Sequence, residues 1–253
     1  MDLLTALIDP LRDLPVIGVF IKLLRGLPMT LMLVVPSVFI GAVIASLLAF
    51  MRFSRNPLIC GFARCYISIF RSVPLLVLLF IVYYGPGQFR EFLTNLGIYW
   101  IFRSDYLCAL VAFIINTSAY GAEIIRGAVL SINPGQIEAG RACGMSRWLL
   151  LRRIIIPIAF RHALPAYSNE FILMVKATAL VSIVTLMDMT FIAIEMRYRT
   201  PAQNSTVLYC LAAIYFTINY VVAWLFKKVE YRVSAHLREP VTNVLSPDTQ
   251  PTL

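Results

Sequence analysis

The chain has 253 residues, of which 60% are hydrophobic and only 14% are charged, and its mean hydropathy is +0.80. A soluble domain is close to half apolar and about a quarter charged, so this composition indicates an integral membrane protein. The formal net charge of +9 does not indicate nucleic-acid binding, because basic connections between membrane spans account for it.

The sequence contains no motif for chemistry carried out by the chain itself. Its five cysteines form no CxxC pair and only two histidines accompany them, so no metal site is predicted. No GxxxxGK[ST] sequence occurs, and neither a Ser-His-Asp arrangement nor a catalytic pair of carboxylates is found. We therefore expect a membrane protein that is not an enzyme and binds no cofactor of its own.

The first apolar run predicts a membrane span that follows a short lead-in. Residues 1–25 carry three aspartates and lack a basic start, so they are interpreted as a periplasmic or interfacial lead-in and not as a signal peptide. Pro28–Met51 is long enough to cross a bilayer, and Arg52 and Arg55 anchor its end at the head groups.

The second apolar run, Gly61–Tyr84, contains an arginine inside the predicted span. Arg71 is costly there unless it faces protein or water, and Pro74 bends the helix close to it. Two interpretations are open. Either this segment lines a transport pathway, or Arg71 extends toward the head groups beside a structural kink.

A loop of mixed charge without a motif, Gly85–Asp105, leads to the third predicted span, Tyr106–Val129. This span carries Asn116, a candidate for the pathway. It also carries Glu123 and Arg126, which lie three residues apart on one helical face. We interpret Glu123 and Arg126 as a structural ion pair near the membrane boundary, with a gate or a substrate site as the alternative.

The stretch that follows is too basic and too interrupted to cross a membrane. Asn133 predicts a helix N-cap, Pro134 suits the first helical position, and Gly144 predicts the end of the helix. Part of this helix lacks side-chain bulk because four of its residues are small, namely Ala139, Gly140, Ala142 and Cys143. Such a helix can enter a groove of another protein.

A second short helix is expected over Ser146–Ile155, because Pro157 makes its continuation costly. The fourth span is then expected over Ala166–Phe191. Lys176 lies near the start of this span, where its side chain can reach the head groups.

Asp188 lies at the far end of the fourth span, where cargo would enter. A carboxylate there is costly unless it meets water, a partner charge or a cationic substrate. Pairing with Arg197 or Arg199 is the alternative to a role in the pathway. Glu195 is expected in the short loop that follows, and Val207–Phe226 is the fifth predicted span.

The basic stretch resembles the EAA loop of permease subunits in ABC-type importers, written EAA-x3-G-x9-I-x-L-P. The matching residues are Glu138-Ala139-Gly140, Gly144, Ile154, Ile156 and Pro157. Gly140 replaces an alanine and Ile156 replaces a leucine, and both changes keep small or apolar character. The resemblance implies a cytoplasmic coupling helix that docks on an ATPase through Glu138, Ala139, Gly140, Arg141 and Gly144. A plain surface hairpin is the alternative.

Other segments resemble the polar-amino-acid branch of this family. The sequence FRSVPLL at residues 70–76 is similar to FRGTPLL, and residues 116–124 are similar to N-T-x-A-Y-x-x-E-I. Residues 163–180 are similar to the M-type permease subunit of histidine, basic-amino-acid and opine importers. The resemblance implies the type I ABC importer fold, which is all-α and has five transmembrane helices, over residues 26–228.

The resemblance also implies a substrate class and partners. The substrate would be histidine, lysine, arginine, ornithine or an opine. The partners would be a second, different permease subunit, two ATP-binding subunits that bind ATP and magnesium, and a periplasmic solute-binding protein. The pathway candidates are Arg71, Pro74, Asn116 and Asp188, and the gate or boundary candidates are Glu123, Lys176 and Glu195.

Two other functions were weighed against the importer. A secondary carrier would show two similar halves, but five spans do not divide into two equal sets. A membrane scaffold subunit would explain the spans but not the spacing of the EAA motif.

The orientation follows from the Lys and Arg residues in the connections. The side that holds the basic stretch and the C-terminal tail carries twelve, and the other side carries seven. The positive-inside rule therefore predicts an N-terminus outside and a cytoplasmic C-terminus, which in the bacterial inner membrane that the resemblance implies places the N-terminus in the periplasm. The tail, residues 229–253, is polar and expected to be disordered.

Overall fold

The computed structural model describes Pro15–Arg199 and Asn204–Val233, and every element in these ranges is helical. The all-α fold predicted from the sequence is thereby confirmed for the described residues. The expectations for residues 1–14 and for most of the tail, residues 234–253, lie outside them.

The α-helices are labelled in chain order. They are α1 Pro15–Leu24, α2 Leu27–Arg52, α3 Pro57–Ser72, α4 Leu75–Tyr84, α5 Arg90–Asn95, α6 Asp105–Leu130, α7 Pro134–Ala142, α8 Arg147–Leu150, α9 Ile156–Ala177, α10 Met189–Arg199 and α11 Asn204–Val233. Segments of 3₁₀-helix occupy Gly85–Phe89, Tyr99–Arg103 and Thr178–Val184, and a π-helical turn occupies Leu151–Ile155.

Four helical runs in the described part of the chain are long and apolar enough to cross a membrane. They are Val16–Arg52, Asp105–Leu130, Arg147–Val184 and Ser205–Val233. A fifth crossing comes from the runs Pro57–Ser72 and Leu75–Asn95, which are apolar enough only together and are bent by 104° at the break between them.

The packing of α3 and α4 indicates one broken span and not a loop that returns to the same face. The buried residues of α3 join the second halves of α2 and α6, in a cluster of Ala45, Leu48, Ala63, Ile67 and Ala122. The buried residues of α4 join the first halves of the same two helices, in a cluster that includes Leu33, Leu78, Leu79, Ala109 and Phe113. Helices α3 and α4 therefore lie at different depths of the bundle and cross it together.

Pro74 explains the break between α3 and α4. Proline lacks an amide hydrogen, and its ring disfavours a helical backbone at the preceding residue. Val73 accordingly has φ −86° and ψ 125°, and Pro74 itself caps the start of α4. The sequence predicted a kink here, whereas the structure has a sharp break that leaves Arg71 in the last turn of α3.

The expectation that Pro157 ends a helix is wrong. The helical run continues from Arg147 to Val184, with the π-helical turn Leu151–Ile155 directly before the proline. A π turn widens the helix and pairs backbone groups five residues apart, which relieves the clash that an interior proline causes. The helical run therefore starts well before Ala166, and Lys176 lies in its last third.

The other end of the fourth crossing also differs from the prediction. The run stops at Val184, and the next residue, Thr185, has a left-handed backbone with φ 62°. Asp188 therefore lies in a connection and not in a span. Glu195 lies within α10, where a loop was expected. The last helix continues to Val233, beyond the expected start of the tail.

Helix α1 lies in the segment expected to be a lead-in. Val19 and Leu23 are buried with Met189 and Ile214, in a cluster shared by α1, α10 and α11. The lead-in therefore contributes a packed helix to the bundle.

Gly26, between α1 and α2, touches the backbone before α10. A Cβ at this position would lie 2.6 Å from the carbonyl carbon of Asp188 and 2.7 Å from the Cα atom of Met189. We predict that Gly26→Ala destabilises the protein by about 1–3 kcal/mol, because backbone atoms cannot move aside freely. The measurement is the thermal unfolding midpoint of the purified protein in detergent.

Gly61→Ala is the control, because a Cβ at Gly61 meets nothing within 4 Å. Alanine is also the better helix former, so this variant should be neutral or slightly stabilised. An equal loss of stability in both variants would contradict the prediction that a Cβ at Gly26 clashes with the backbone at the start of α10.

Candidate functional site

Helix α7 has the ends that the sequence predicts. Asn133 caps its start, since its Oδ1 accepts a hydrogen bond from an amide of the first turn at 2.9 Å. At the other end, the amide of Gly144 donates to the carbonyl of Arg141 at 2.9 Å and that of Met145 to Gly140 at 3.2 Å, as in a Schellman motif. Gly144 has φ 75°, which glycine adopts most easily. The glycine of the motif is therefore required by the backbone.

Gly140 faces the interior of the hairpin. It is buried, and a Cβ there would lie 2.6 Å from Cδ1 of Leu150 and 2.8 Å from Cδ1 of Ile154. Part of the small surface that the sequence offered to a partner therefore packs against the chain's own α8 and π turn. Gly140 lets α7 approach these elements closely, so any effect it has on docking is indirect.

The outward side of α7 carries small residues and both charges. The exposed residues of its second half are Glu138, Ala139, Arg141 and Ala142, and Cys143 is exposed directly after it. The neighbouring helix α8 adds Trp148, which is 68% exposed. Small residues allow close approach, and exposed tryptophan and arginine are enriched at protein interfaces. The hairpin is therefore suited to docking on another protein.

The broken span places Arg71 near the middle of the bundle. The guanidinium carbon of Arg71 lies 5.2 Å from the ring centroid of Tyr120, and the Tyr120 hydroxyl donates to the Arg71 carbonyl at 3.3 Å. Tyr120 lies in the middle part of α6, and both Arg71 and Pro74 are exposed. An arginine at this depth has to meet protein or water, and broken helices of this kind occur at transport sites.

Glu170, in α9, is a site residue that the sequence analysis missed. It is only 5% exposed, and its Oε1 and the neighbouring Tyr167 hydroxyl are buried without a hydrogen-bond partner among the described residues. The Tyr167 hydroxyl packs on Gly121, where a Cβ would lie 2.5 Å from it. Arg71 lies close enough to interact electrostatically with Glu170.

A physical signal for Glu170 was present in the sequence. An ionisable residue inside a span is a functional candidate by default. The predicted span began at Ala166, which placed Glu170 at a membrane boundary. The observed run begins at Arg147, so Glu170 lies deep inside it.

The ion pair expected between Glu123 and Arg126 is present. The Nε atom of Arg126 donates to Oε1 of Glu123 at 2.7 Å. The other Glu123 oxygen and Nε of Arg52 are buried and have no hydrogen-bond partner in the described part of the chain. A small cluster of charges therefore lies at the end of the bundle near α7.

The remaining sequence candidates lie apart from one another. Asn116 is buried in the middle of α6, and Lys176 is exposed near the end of α9. Glu195 forms an exposed pair with Arg199, with 2.6 Å between Oε1 and Nη2. Exposed pairs of this kind contribute little stability.

Asp188 is fully buried and caps α10. Its Oδ1 accepts a hydrogen bond from the Phe191 amide at 2.8 Å, and the Tyr215 hydroxyl donates to its Oδ2 at 3.4 Å. Burial raises the pKa of the Asp188 carboxyl above its usual value, although these hydrogen bonds oppose the shift. This geometry favours the structural interpretation of Asp188 over contact with cargo.

The sequence of the chain matches a known family along most of its length. Residues 37–235 match the family described as binding-protein-dependent transport system inner membrane component, and the chain belongs to this family. It is 50% identical over 213 residues to the octopine transport system permease protein of Rhizobium meliloti, covering 84% of this chain and 86% of that one. It is 40% identical over 223 residues to the histidine/lysine/arginine/ornithine transport system permease protein of Escherichia coli K12, and the match covers 86% of this chain and 91% of that one.

Solved structures share the fold. An amino acid ABC transporter crystallised with histidines has a TM-score of 0.73 and 34% identity, covering 83% of this chain and 94% of that one. A methionine ABC transporter in an inward-facing conformation has a TM-score of 0.64 and 21% identity, covering 83% of this chain and 95% of that one. At this identity the match shows the fold alone. The predictions of the type I importer fold and of an ABC importer permease subunit in the inner membrane are confirmed.

The positive φ of Gly144 gives a test of the α7 ending. We predict that Gly144→Ala lowers the free energy of local opening at the end of α7 by about 1–2 kcal/mol, because a Cβ strains a left-handed backbone. Faster amide hydrogen exchange at Gly144 and Met145 would measure it. Gly127→Ala is the matched control, since Gly127 is helical with nothing within 4 Å of a Cβ. Unchanged exchange in Gly144→Ala would contradict the prediction.

Proposed function

We propose that this protein is one of two different membrane-spanning subunits of an ATP-driven importer for a polar amino acid or an opine. The observation that carries the proposal is the α7–α8 hairpin, which bears the EAA motif and exposes a small, charged face beside Trp148. The octopine permease and the histidine/lysine/arginine/ornithine permease among the relatives support the substrate class.

The partners follow from what the chain offers. Two ATP-binding subunits bind ATP and its magnesium and supply the hydrolysis, and one of them docks on α7. A periplasmic solute-binding protein delivers the cargo. The second permease subunit covers α3 around Arg71, because Arg71 is exposed at mid-depth and its charge needs protein or water there.

The orientation in this proposal places α7 and the C-terminus in the cytoplasm and the N-terminus in the periplasm. With the broken span counted as one crossing, the described helices cross the membrane five times, which puts the two ends on opposite faces. The excess of Lys and Arg on the α7 side supports a cytoplasmic position for that side.

Arg71 and Glu170 match the charges of the proposed cargo. Amino acids and opines carry a carboxylate together with a positive group. Arg71 can pair with the carboxylate, and Oε1 of Glu170, which has no hydrogen-bond partner among the described residues, can accept a hydrogen bond from the cation. Pro74 removes one backbone donor at the break, and broken helices of this kind occur at transport sites. Asn116, one turn before Tyr120 on α6, is a further contact candidate.

Docking on α7 gives a test of the coupling role. We predict that Glu138→Lys leaves the chain inserted and assembled but lowers substrate-stimulated ATP hydrolysis at least about tenfold, because it reverses a charge at the contact. The measurement is ATP hydrolysis by the reconstituted importer with its binding protein and substrate. Glu91→Lys is the control, since Glu91 is exposed on α5 at the other end of the bundle. Normal stimulation in Glu138→Lys would remove the docking role.

Glu170 gives a test of the pathway. We predict that Glu170→Gln lowers uptake of arginine or lysine roughly tenfold more than uptake of a neutral amino acid, because a charge-assisted hydrogen bond to the cation is worth about 1.5–3 kcal/mol. Glutamine keeps the size of the side chain. Uptake into proteoliposomes is compared at matched protein levels.

Asp188→Asn is the comparison variant. Its amide oxygen can still accept the hydrogen bond from Phe191, so any loss should be equal for cationic and neutral cargo. A selective loss in Asp188→Asn with none in Glu170→Gln would assign the cation contact to Asp188 instead.

A further inference from the structure

The connector between α4 and α6, residues 85–104, buries none of its residues in the three short helical segments it contains. Several of its largest apolar side chains point outward. Phe89 and Phe92 are each 64% exposed, Trp100 is 62% exposed and Leu96 is 56% exposed. Four large apolar side chains thus lie exposed within twelve residues of the chain, and exposed apolar surface of this kind indicates contact with lipid or with another protein.

The two ends of the connector fix its position at one face of the membrane. Helix α4, the second half of the broken span, ends at Tyr84, and α6, which is long enough to cross the bilayer alone, begins at Asp105. The Tyr83 hydroxyl donates to Oδ1 of Asp105 at 3.1 Å, so the two ends lie side by side. The connector is tethered on both sides to the same edge of the bilayer, at the end of the bundle opposite α7.

The exposed apolar side chains of the connector follow directly on exposed apolar side chains at the end of α4. Ile81 is 56% exposed and Tyr84 is 61% exposed, and the chain passes from them into the first 3₁₀ segment without a break. Charged residues interleave with the aromatic ones, and the guanidinium carbon of Arg90 lies 5.6 Å from the ring centroid of Tyr99. Aromatic rings with neighbouring arginines are typical of the boundary between acyl chains and head groups.

We propose that residues 85–104 form a membrane-lying segment at the head-group boundary of the leaflet opposite the coupling helix. Phe89, Phe92, Leu96 and Trp100 enter the top of the acyl layer, and Arg90 and Arg103 meet lipid phosphates. The occupant of this surface is lipid, and not the solute-binding protein or the second permease. The segment thereby anchors α4, the outer half of the broken span.

Depth-dependent fluorescence quenching tests this placement in the full importer in lipid nanodiscs. Single-tryptophan chains are made by replacing two of Trp100, Trp148 and Trp224 with Phe. Lipids brominated near the top of the acyl chain should quench Trp100 at least about twofold more than lipids brominated near the chain end. Trp224, which is exposed on α11, is the reference, because it shows how strongly brominated lipids quench a tryptophan on a helix that crosses the bilayer.

Single tryptophans at positions 92 and 94 of α5 test which side of this helix faces the lipid. Phe92 and Thr94 lie about 160° apart around a helix, so a single tryptophan at position 92 should be quenched by shallow bromines. One at position 94 should be quenched mainly by iodide in the water. If tryptophans 92 and 100 escape bromine while Trp224 is quenched, a protein covers the surface and the proposal is overturned. Equal quenching at 92 and 94 would overturn it too.

Discussion

The packing of α2 against α6 is the contact on which the rest of the bundle depends. The residues between these helices are small: Ala45 and Ala122 are fully buried, and a Cβ at Gly41 would lie 2.9 Å from the Thr117 side chain. In lipid the hydrophobic effect does not drive helices together, so close approach of two backbones provides the dispersion contacts that do. Helices α3, α4 and α9 all pack on this pair, so it sets the depth of the site.

Two prolines have opposite effects on the bundle, and both effects serve the proposed function. Pro74 separates α3 from α4, so the helix breaks close to Arg71. Pro157 is accommodated by a π turn, so one helical run extends from Arg147 to Val184. Glu170 lies in that run together with α8, so continuous helix joins the proposed docking hairpin to the proposed pathway.

The charges inside the bundle fall into two groups. Near α7, Glu123 is paired with Arg126, which offsets the cost of removing either charge from water. At mid-depth, Glu170 has a buried oxygen without a partner in the described chain, and Arg71 is exposed beside an aromatic ring. The paired charges offset each other's desolvation, whereas the proposed substrate contact rests on the incompletely paired Arg71 and Glu170.

The sequence by itself determined the features that depend on neighbouring residues. The length of the third span, the cap at Asn133, the glycine ending at Gly144 and the pair of Glu123 with Arg126 follow from helix geometry and from residues a few positions apart. Only the tertiary structure decided that Gly140 packs against the hairpin, that Asp188 is a buried cap, and that Glu170 lies deep in a span. These depend on contacts between helices distant in sequence, and on a π turn that let a helix pass a proline.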